Sequence, residues 1–335
     1  MLRSVLPAAS TVGAWTARSA ALALAVVLGT GCGGDDGEGP AVREDAAYEL
    51  SISLEGSLQN PAFSPDGTAI VFTRFRGGYN VGPADLYVYE LASGTLRESV
   101  ADGSDNVNLP GSAWSPATGQ IVFSSSREPH DEIYVIDAAG GPGDEVRVTG
   151  RADHVAYEPS LSPDGLAVVF ESHAVDVEDN GVIMVVRLDG TGGYRALTAA
   201  GDDCRQPNWS PAGDTIVYQR RTGSAWELWR VAPDGSDPAR IAAGAGDQTD
   251  ASFDGAGAWI VFSGNGGVLD LANVFAVPLG GGTPVQLTRS SGYDGAPSVS
   301  PGGDRLAFEA CAGDPDGSAG TRLWLLELPA WPPGQ

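Results

Sequence analysis

"NPAFSPDGTAIVF", Asn60–Phe72, is written again as "GSAWSPATGQIVF" from Gly111, "EPSLSPDGLAVVF" from Glu158 and "QPNWSPAGDTIVY" from Gln206. Fainter copies follow as "DASFDGAGAWIVF" from Asp250 and "APSVSPGGDRLAF" from Ala296. Aligned on the apolar residue before the turn (Phe63, Trp114, Leu161, Trp209, Phe253, Val299), the copies are 51, 47, 48, 44 and 46 residues apart. Nine residues after each anchor stands an aromatic (Phe72, Phe123, Phe170, Tyr218, Phe262, Phe308), preceded by Val in five copies and by Ala307 in the sixth. A fixed period in the forties is the mark of a repeat architecture.

Each unit parses as four short strands. The first carries the anchor. "SPDG" is a tight turn in which Pro fixes φ, Asp bonds its own backbone and Gly accepts a positive φ. The second is the β-branched run ending in the aromatic. The third is "LYVY" at Leu86, "IYVI" at Ile133, "IMVV" at Ile183, "LWRV" at Leu228, "VFAV" at Val274 and "LWLL" at Leu323. The fourth is shorter and more polar, as in "VRVT" ending at Thr149, "RALT" at Thr198 and "VQLT" at Thr288. Four-stranded antiparallel units at this period are the blades of a β-propeller. The competing solenoid reading fails because solenoids of this unit length are mostly helical. The fold expected is therefore all-β, a six-bladed propeller over residues 47–329. "LPAWPPGQ" after the last third strand is too rich in Pro to supply a fourth. "YELSISL", Tyr48 to Leu54, lies at the right distance to supply it instead, so the N-terminal strand is expected to complete the last blade and hide both sheet edges.

Composition narrows the function. The 335 residues carry 47 Gly, 23 Pro and 42% apolar residues, which fits many turns around a large core. The formal charge is -24 and all 19 basic residues are Arg, since the chain has no lysine. Schiff-base chemistry and the Walker-type phosphate loop are excluded with that amine. So strong an acidic balance also argues against nucleic acid, whose binding rests on neutralised phosphates. It suits a basic partner, a divalent cation or plain solubility.

Residues 1–31 read as an export signal: Arg3 and Arg18 in an acid-free start, then the apolar run "AALALAVVLGTG" from Ala20, too short to span a membrane. "LGTGC" ending at Cys32 resembles the lipobox of bacterial lipoproteins, with Gly29 where that motif has Leu. The resemblance implies diacylation of Cys32 and a lipoprotein of the periplasm or outer membrane. Residues 32–46, Gly-rich and acidic, read as a flexible tether, and 330–335 as a tail.

"PAFSPDGTAIVF" and "PNWSPAGDTIVY", with the "LT" strand about a dozen residues upstream, resemble the WD-like propeller repeats of the TolB family over Tyr48 to Leu328. The resemblance implies a periplasmic propeller that binds protein partners, notably a peptidoglycan-associated lipoprotein, at its mouth. TolB carries an α/β domain before its propeller, for which about thirty mature residues leave no room. The same repeat type occurs in prolyl-oligopeptidase-like proteases, but no G-x-S-x-G elbow accompanies it here. Adjacent Asp66-Gly67 and Asp164-Gly165 also depart from the sialidase aspartate box, which separates the two by one residue.

Propeller connectivity sends the loops between second and third strands, and between blades, to one face. Loops on a rigid ring are where function usually lives. Three residues before the anchors, four polar side chains, Asn60, Glu158, Gln206 and Asp250, ring the expected channel lip and suit a partner segment, a cation or ordered water. Arg74, Arg76, Arg127 and Arg220 end second strands on that face, placed to pair with partner carboxylates. His130, His154 and His173 project to the same face from adjacent blades and, with a carboxylate, suit a transition metal or simple solvation. "DVEDNG" from Asp176 and "DPDG" from Asp314 are fragments of Ca²⁺-type loops or Asx turns. Cys204 and Cys311 read as separate thiols. The function expected is a monomeric, exported, lipid-tethered, non-catalytic binder of a cell-envelope protein or peptide, with no cofactor. The alternative is a lactonase- or lyase-like enzyme using a divalent cation at the mouth.

Overall fold

The computed structural model describes residues 43–177, 180–317 and 320–333. The expected signal, Cys32 and most of the tether lie outside them, as do Glu178 and Asp179 of "DVEDNG". The described chain forms six four-stranded antiparallel sheets. Blade 1 runs β2 (Ser57–Phe63), β3 (Ala69–Phe75), β4 (Ala84–Glu90) and β5 (Leu96–Val100) from the axis outward. Blade 2 has β6 (Asn106–Val107), β7 (Gln120–Ser125), β8 (Glu132–Asp137) and β9 (Val146–Arg147). Blade 3 has β10 (His154–Leu161), β11 (Ala167–Ala174), β12 (Val182–Arg187) and β13 (Arg195–Ala196). Blade 4 has β14 (Cys204–Trp209), β15 (Ile216–Thr222), β16 (Ala225–Val231) and β17 (Ala239–Arg240). Blade 5 has β18 (Gln248–Phe253), β19 (Trp259–Gly264), β20 (Asn273–Pro278) and β21 (Val285–Gln286). Blade 6 has β22 (Tyr293–Val299), β23 (Arg305–Cys311), β24 (Arg322–Glu327) and, from the other end of the chain, β1 (Tyr48–Glu49).

The repeated Val–aromatic pair explains why the phrase recurs. Side chains alternate along a strand, so the two residues face opposite sides of their blade. The hydrophobic core is divided into six clusters, one between each pair of adjacent blades. Val71 packs in the cluster of Phe123, Val122 with Phe170, Val169 with Tyr218, Val217 with Phe262, Val261 with Phe308, and Ala307 with Phe72, which closes the circle. All six aromatics are fully buried. Removing one such ring costs about 3–5 kcal/mol. The turn residues behave as their chemistry dictates. Asp66 accepts from Ser64 Oγ at 2.6 Å and from the Thr68 N–H at 3.0 Å. Gly67, Gly165, Gly213, Gly257 and Gly303 close their turns at φ of 70°, 70°, 73°, 69° and 73°.

The latch forms, but is shorter than the sequence suggests. Only Tyr48 and Glu49 pair with β24, opposite Leu325 and Trp324. Leu50 adds one bond to the Leu323 carbonyl at 2.8 Å. The rest of "YELSISL" turns inward instead and buries Leu50 and Ile52 between blades 6 and 1. A second clasp precedes it. Arg43 forks the buried Asp294 carboxylate at 2.6 and 2.8 Å and stacks over Phe308 and Trp324.

Candidate functional site

Five inner strands carry the same irregularity. Pairing to the second strand slips between Gln59 and Ala62, Tyr157 and Ser160, Arg205 and Asn208, Thr249 and Ser252, and Gly295 and Ser298. Each slip is a β-bulge whose extra residue turns left-handed: Asn60 (φ 54°), Glu158 (48°), Gln206 (51°), Asp250 (52°) and Ala296 (48°). A side chain in that region costs about 1–2 kcal/mol. The polar ring read from the sequence is this set of bulges. It lies within the inner strands, not in the loops before them.

What holds the bulges is a residue that the sequence reading passed over, the one directly after each aromatic. These are Thr73, Ser124, Glu171, Gln219, Ser263 and Glu309, polar in all six copies and all buried. Several reach across to the next blade and accept its backbone N–H. Glu309 Oε2 accepts from Asn60 N at 2.9 Å, Glu171 Oε2 from Gln206 N at 3.2 Å and Ser263 Oγ from Ala296 N at 3.0 Å. Thr73 Oγ1 accepts from Asn108 N at 3.2 Å. Aligning one column beyond the aromatic would have exposed this pattern.

Blade 2 breaks the rule and closes the axis. Its inner strand stops at Val107 and resumes only as a bridge between Trp114 and Ile121. Between them Pro110 offers no N–H, and Gly111, at φ 90°, swings the backbone across the ring. A Cβ at Gly111 would stand 2.7 Å from that of Ser252 in blade 5, so only glycine fits. Ser112 Oγ then donates to Asn208 Oδ1 of blade 4 at 2.8 Å. At the mouth of the ring the backbone of blade 2 thus reaches across the axis to blades 4 and 5.

Three of the four predicted ring side chains meet there. Gln206 Nε2 donates to Glu158 Oε1 at 3.2 Å and to Asp250 Oδ1 at 2.9 Å, while Gln206 Oε1 accepts from Asp250 N at 3.0 Å. Asn60 contributes backbone: its carbonyl accepts from Asn108 Nδ2 at 2.8 Å. Opposite, Tyr79 from the long β3–β4 loop meets Tyr293, hydroxyl to hydroxyl at 3.1 Å, and Tyr293 donates to Glu309 Oε1 at 3.2 Å. Burial raises Glu309 and Glu158 at this mouth. Glu309 is pushed up to about 8 by desolvation, with Asp250 adding to it. Glu158 is held well above its ordinary value by burial and then by the Glu171 carboxylate, with which it shares a hydrogen bond.

The predicted arginines are engaged within the chain. Arg76 forks Asp85 at 2.7 and 2.8 Å, and Arg74 donates to the Glu55 carbonyl at 2.7 Å. Arg127 bonds Asn106 Oδ1 at 2.9 Å and lies over Tyr134, and Arg220 bonds Asp202 at 2.8 Å over Trp229. They brace the loop bases, and pairing with a partner would have to displace these contacts. The histidines do not converge. His173 is opposite Val155 in the β10–β11 ladder, so the neighbouring His154 points to the other face. His173 is buried against Glu171, and His154 lies 3.0 Å from Asp153. His130 lines a separate groove of about 250 Å³ with Glu128 and Arg147. Among the described residues no three His, Cys, Asp or Glu side chains are grouped to hold a metal ion. "DPDG" forms a 3₁₀ turn, in which Asp316 N donates to Asp314 Oδ1 at 3.1 Å. Cys204 and Cys311 sit on strands of different blades.

The family profile "TolB beta propeller domain" matches residues 44–256. The Tol-Pal system protein TolB of Francisella tularensis is 26% identical over 166 residues, 50% of this chain and 36% of that protein. The chain spans less than two thirds of the length of the curated relatives it matches first. Among solved structures, TolB from Acinetobacter baumannii superposes with a TM-score of 0.59 at 17% identity, over 82% of this chain and 64% of that one. An oligogalacturonate lyase in complex with manganese superposes at 0.52 with 14% identity, over 84% and 93%. At such identities these structures share the fold alone.

Proposed function

The chain belongs to the TolB β-propeller domain family, and from that membership we propose that it is an exported cell-envelope protein that binds a protein or peptide partner at the mouth of its ring. One observation carries the reading. Five bulges of like geometry, and Gly111 in blade 2, present six positions filled as Asn60, Gly111, Glu158, Gln206, Asp250 and Ala296. A rigid frame that varies only its displayed side chains is the build of a recognition surface. Tethering through a diacylated Cys32 completes the proposal, with the protein acting as a monomer in the periplasm or at the outer membrane.

Glu158→Gln with Asp250→Asn keeps acceptors for the Gln206 amide and removes both ionisable groups. Capture of the envelope partner should weaken by about 1–3 kcal/mol, the scale of a charged hydrogen bond. Asp66→Asn with Asp164→Asn, in the turns of the opposite face, should leave capture intact. The reverse result in pull-downs from envelope extract would place the working face on the other side. Cys32→Ser should move the protein from the membrane to the soluble envelope fraction. Unchanged fractionation would reject the lipid tether.

A further inference from the structure

The mouth gathers carboxyl acceptors whose present donors all come from within the chain: Gln206 Nε2 and Thr249 Oγ1 to Asp250, and Asn60 N and Tyr293 to Glu309. Asp250 is its hub: its carboxylate raises Glu158 on one flank and Glu309, Tyr79 and Tyr293 on the other. The Arg205 guanidinium already faces Glu158, lies 3.9 Å from Glu171 and is bonded to Asp203 at 3.1 Å. A second observation is independent of the acids. Gln219 occupies on β15 the register that Glu171 and Glu309 occupy on β11 and β23, opposite Arg205 of the inner strand. By that register its side chain lies on the face of blade 4 that Glu171 and Glu309 occupy in their own blades. The Asp250 N–H, the counterpart of the groups those two bond, is taken by Gln206 Oε1. Gln219 Oε1 is left buried with no hydrogen-bond partner, in a residue only 6% exposed. An orphaned buried acceptor costs about 1–3 kcal/mol, which a donating ligand would recover.

Resting on the function proposed above, we propose that the mouth receives the guanidinium of an arginine side chain carried by the partner, seated between the Asp250 carboxylate and the Gln219 carbonyl, with Glu158 and Glu309 flanking it. The acceptors are spread over blades 3 to 6 and do not close on a point as a metal ion requires. A guanidinium presents five N–H donors over a flat fork and matches spread acceptors. Its arrival also changes the protonation of the mouth. Glu158 is faced by Glu171, Gln206, Asp250 and the Arg205 guanidinium, and Glu309 by Asn60 N, Asp250, Tyr293 and Tyr79. A cation among these groups favours their ionised forms, so it releases protons and binds more tightly as pH rises toward 8.

The test is calorimetry on the full folded chain, with N-acetyl-arginine amide and its neutral isostere N-acetyl-citrulline amide as probes. Saturable binding of the arginine compound is expected, with the citrulline compound at least about tenfold weaker. Asp250→Asn and Gln219→Met should each cost the arginine compound about tenfold. Binding should tighten from pH 6 to pH 8.5 with proton release, which only the protein can supply because arginine does not titrate there. Equal binding of the two compounds, indifference to Asp250→Asn, or displacement by calcium chloride at stoichiometric levels would overturn the inference. Capture of an envelope partner that depends on the mouth, with no arginine binding, would sink this inference alone. Arginine binding with partner capture confined to the opposite face would instead reject the proposed function.

Discussion

A chain lacking residues 43–54 should aggregate, or melt far below the parent. The deletion takes away β1 and bares the outer edge of β24, an invitation to pair with another chain. It strips Leu50 and Ile52 from the cluster between blades 6 and 1, and Ala47 from that between blades 5 and 6. It also leaves Asp294, fully buried, without the Arg43 fork. Breaking a buried ion pair from one side costs about 3–5 kcal/mol by itself. Arg43→Gln isolates that last contribution and keeps the strand, so it should fold and melt earlier than the parent. Thermal melts with sedimentation decide the matter. A deletion variant that stays monomeric and melts like the parent would mean that the ring is closed by something other than its N-terminus.

Stability should fall as pH rises from 5 to 8.5, against the usual behaviour of carboxylates. Glu309 keeps its proton in the folded chain up to about 8, against an ordinary value of 4.5. Between those two values the folded state holds a proton that the unfolded state has lost. Its contribution is therefore complete below about 4.5 and is lost as pH approaches 8. The shift bounds the loss at roughly 5 kcal/mol, less whatever local relaxation recovers. Asp131, raised to about 6 by burial, loses its share earlier in the same window. Glu309→Gln keeps an acceptor for Asn60 N and does not titrate, so its stability should decline less over the same range. Melting curves at pH 5, 7 and 8.5 make the comparison. Parallel declines in parent and variant would show that Glu309 is already ionised in the folded chain.

The ring was legible in the sequence because its repeat writes both halves of each blade interface. Val122 and Phe123 are adjacent letters, yet they serve two different clusters, and only a closed ring uses every copy that way. The latch was legible in position but not in length. Strand pairing ends at Glu49 because Leu50 and Ile52 gain more by turning into the core than by continuing along β24. At the mouth, Glu158, Gln206 and Asp250 were found because they share a column with known spacing. Glu171, Gln219 and Glu309 were missed as a set because a polar residue after a buried aromatic reads as the wet end of a strand. Its true partner, a backbone N–H in the next blade, exists only once the ring has closed. The arginines' partners within the chain were illegible for a related reason. Asp85 and Asp202, which hold Arg76 and Arg220, are neighbours in space set by strand register and loop path, not by the repeat. Tyr79 sits in the β3–β4 loop, whose sequence is not repeated in the corresponding loops of the other blades, so no alignment column points to it.

The central claim is that the partner docks on the mouth of the ring. Hydrogen exchange of the chain, alone and with the captured partner, tests it most directly. Protection is expected in peptides spanning Tyr79, Glu158, Gln206 and Asp250, with the turns at Asp66 and Asp164 unchanged. Protection confined to those turns, with the mouth exchanging as in the free chain, would contradict the account.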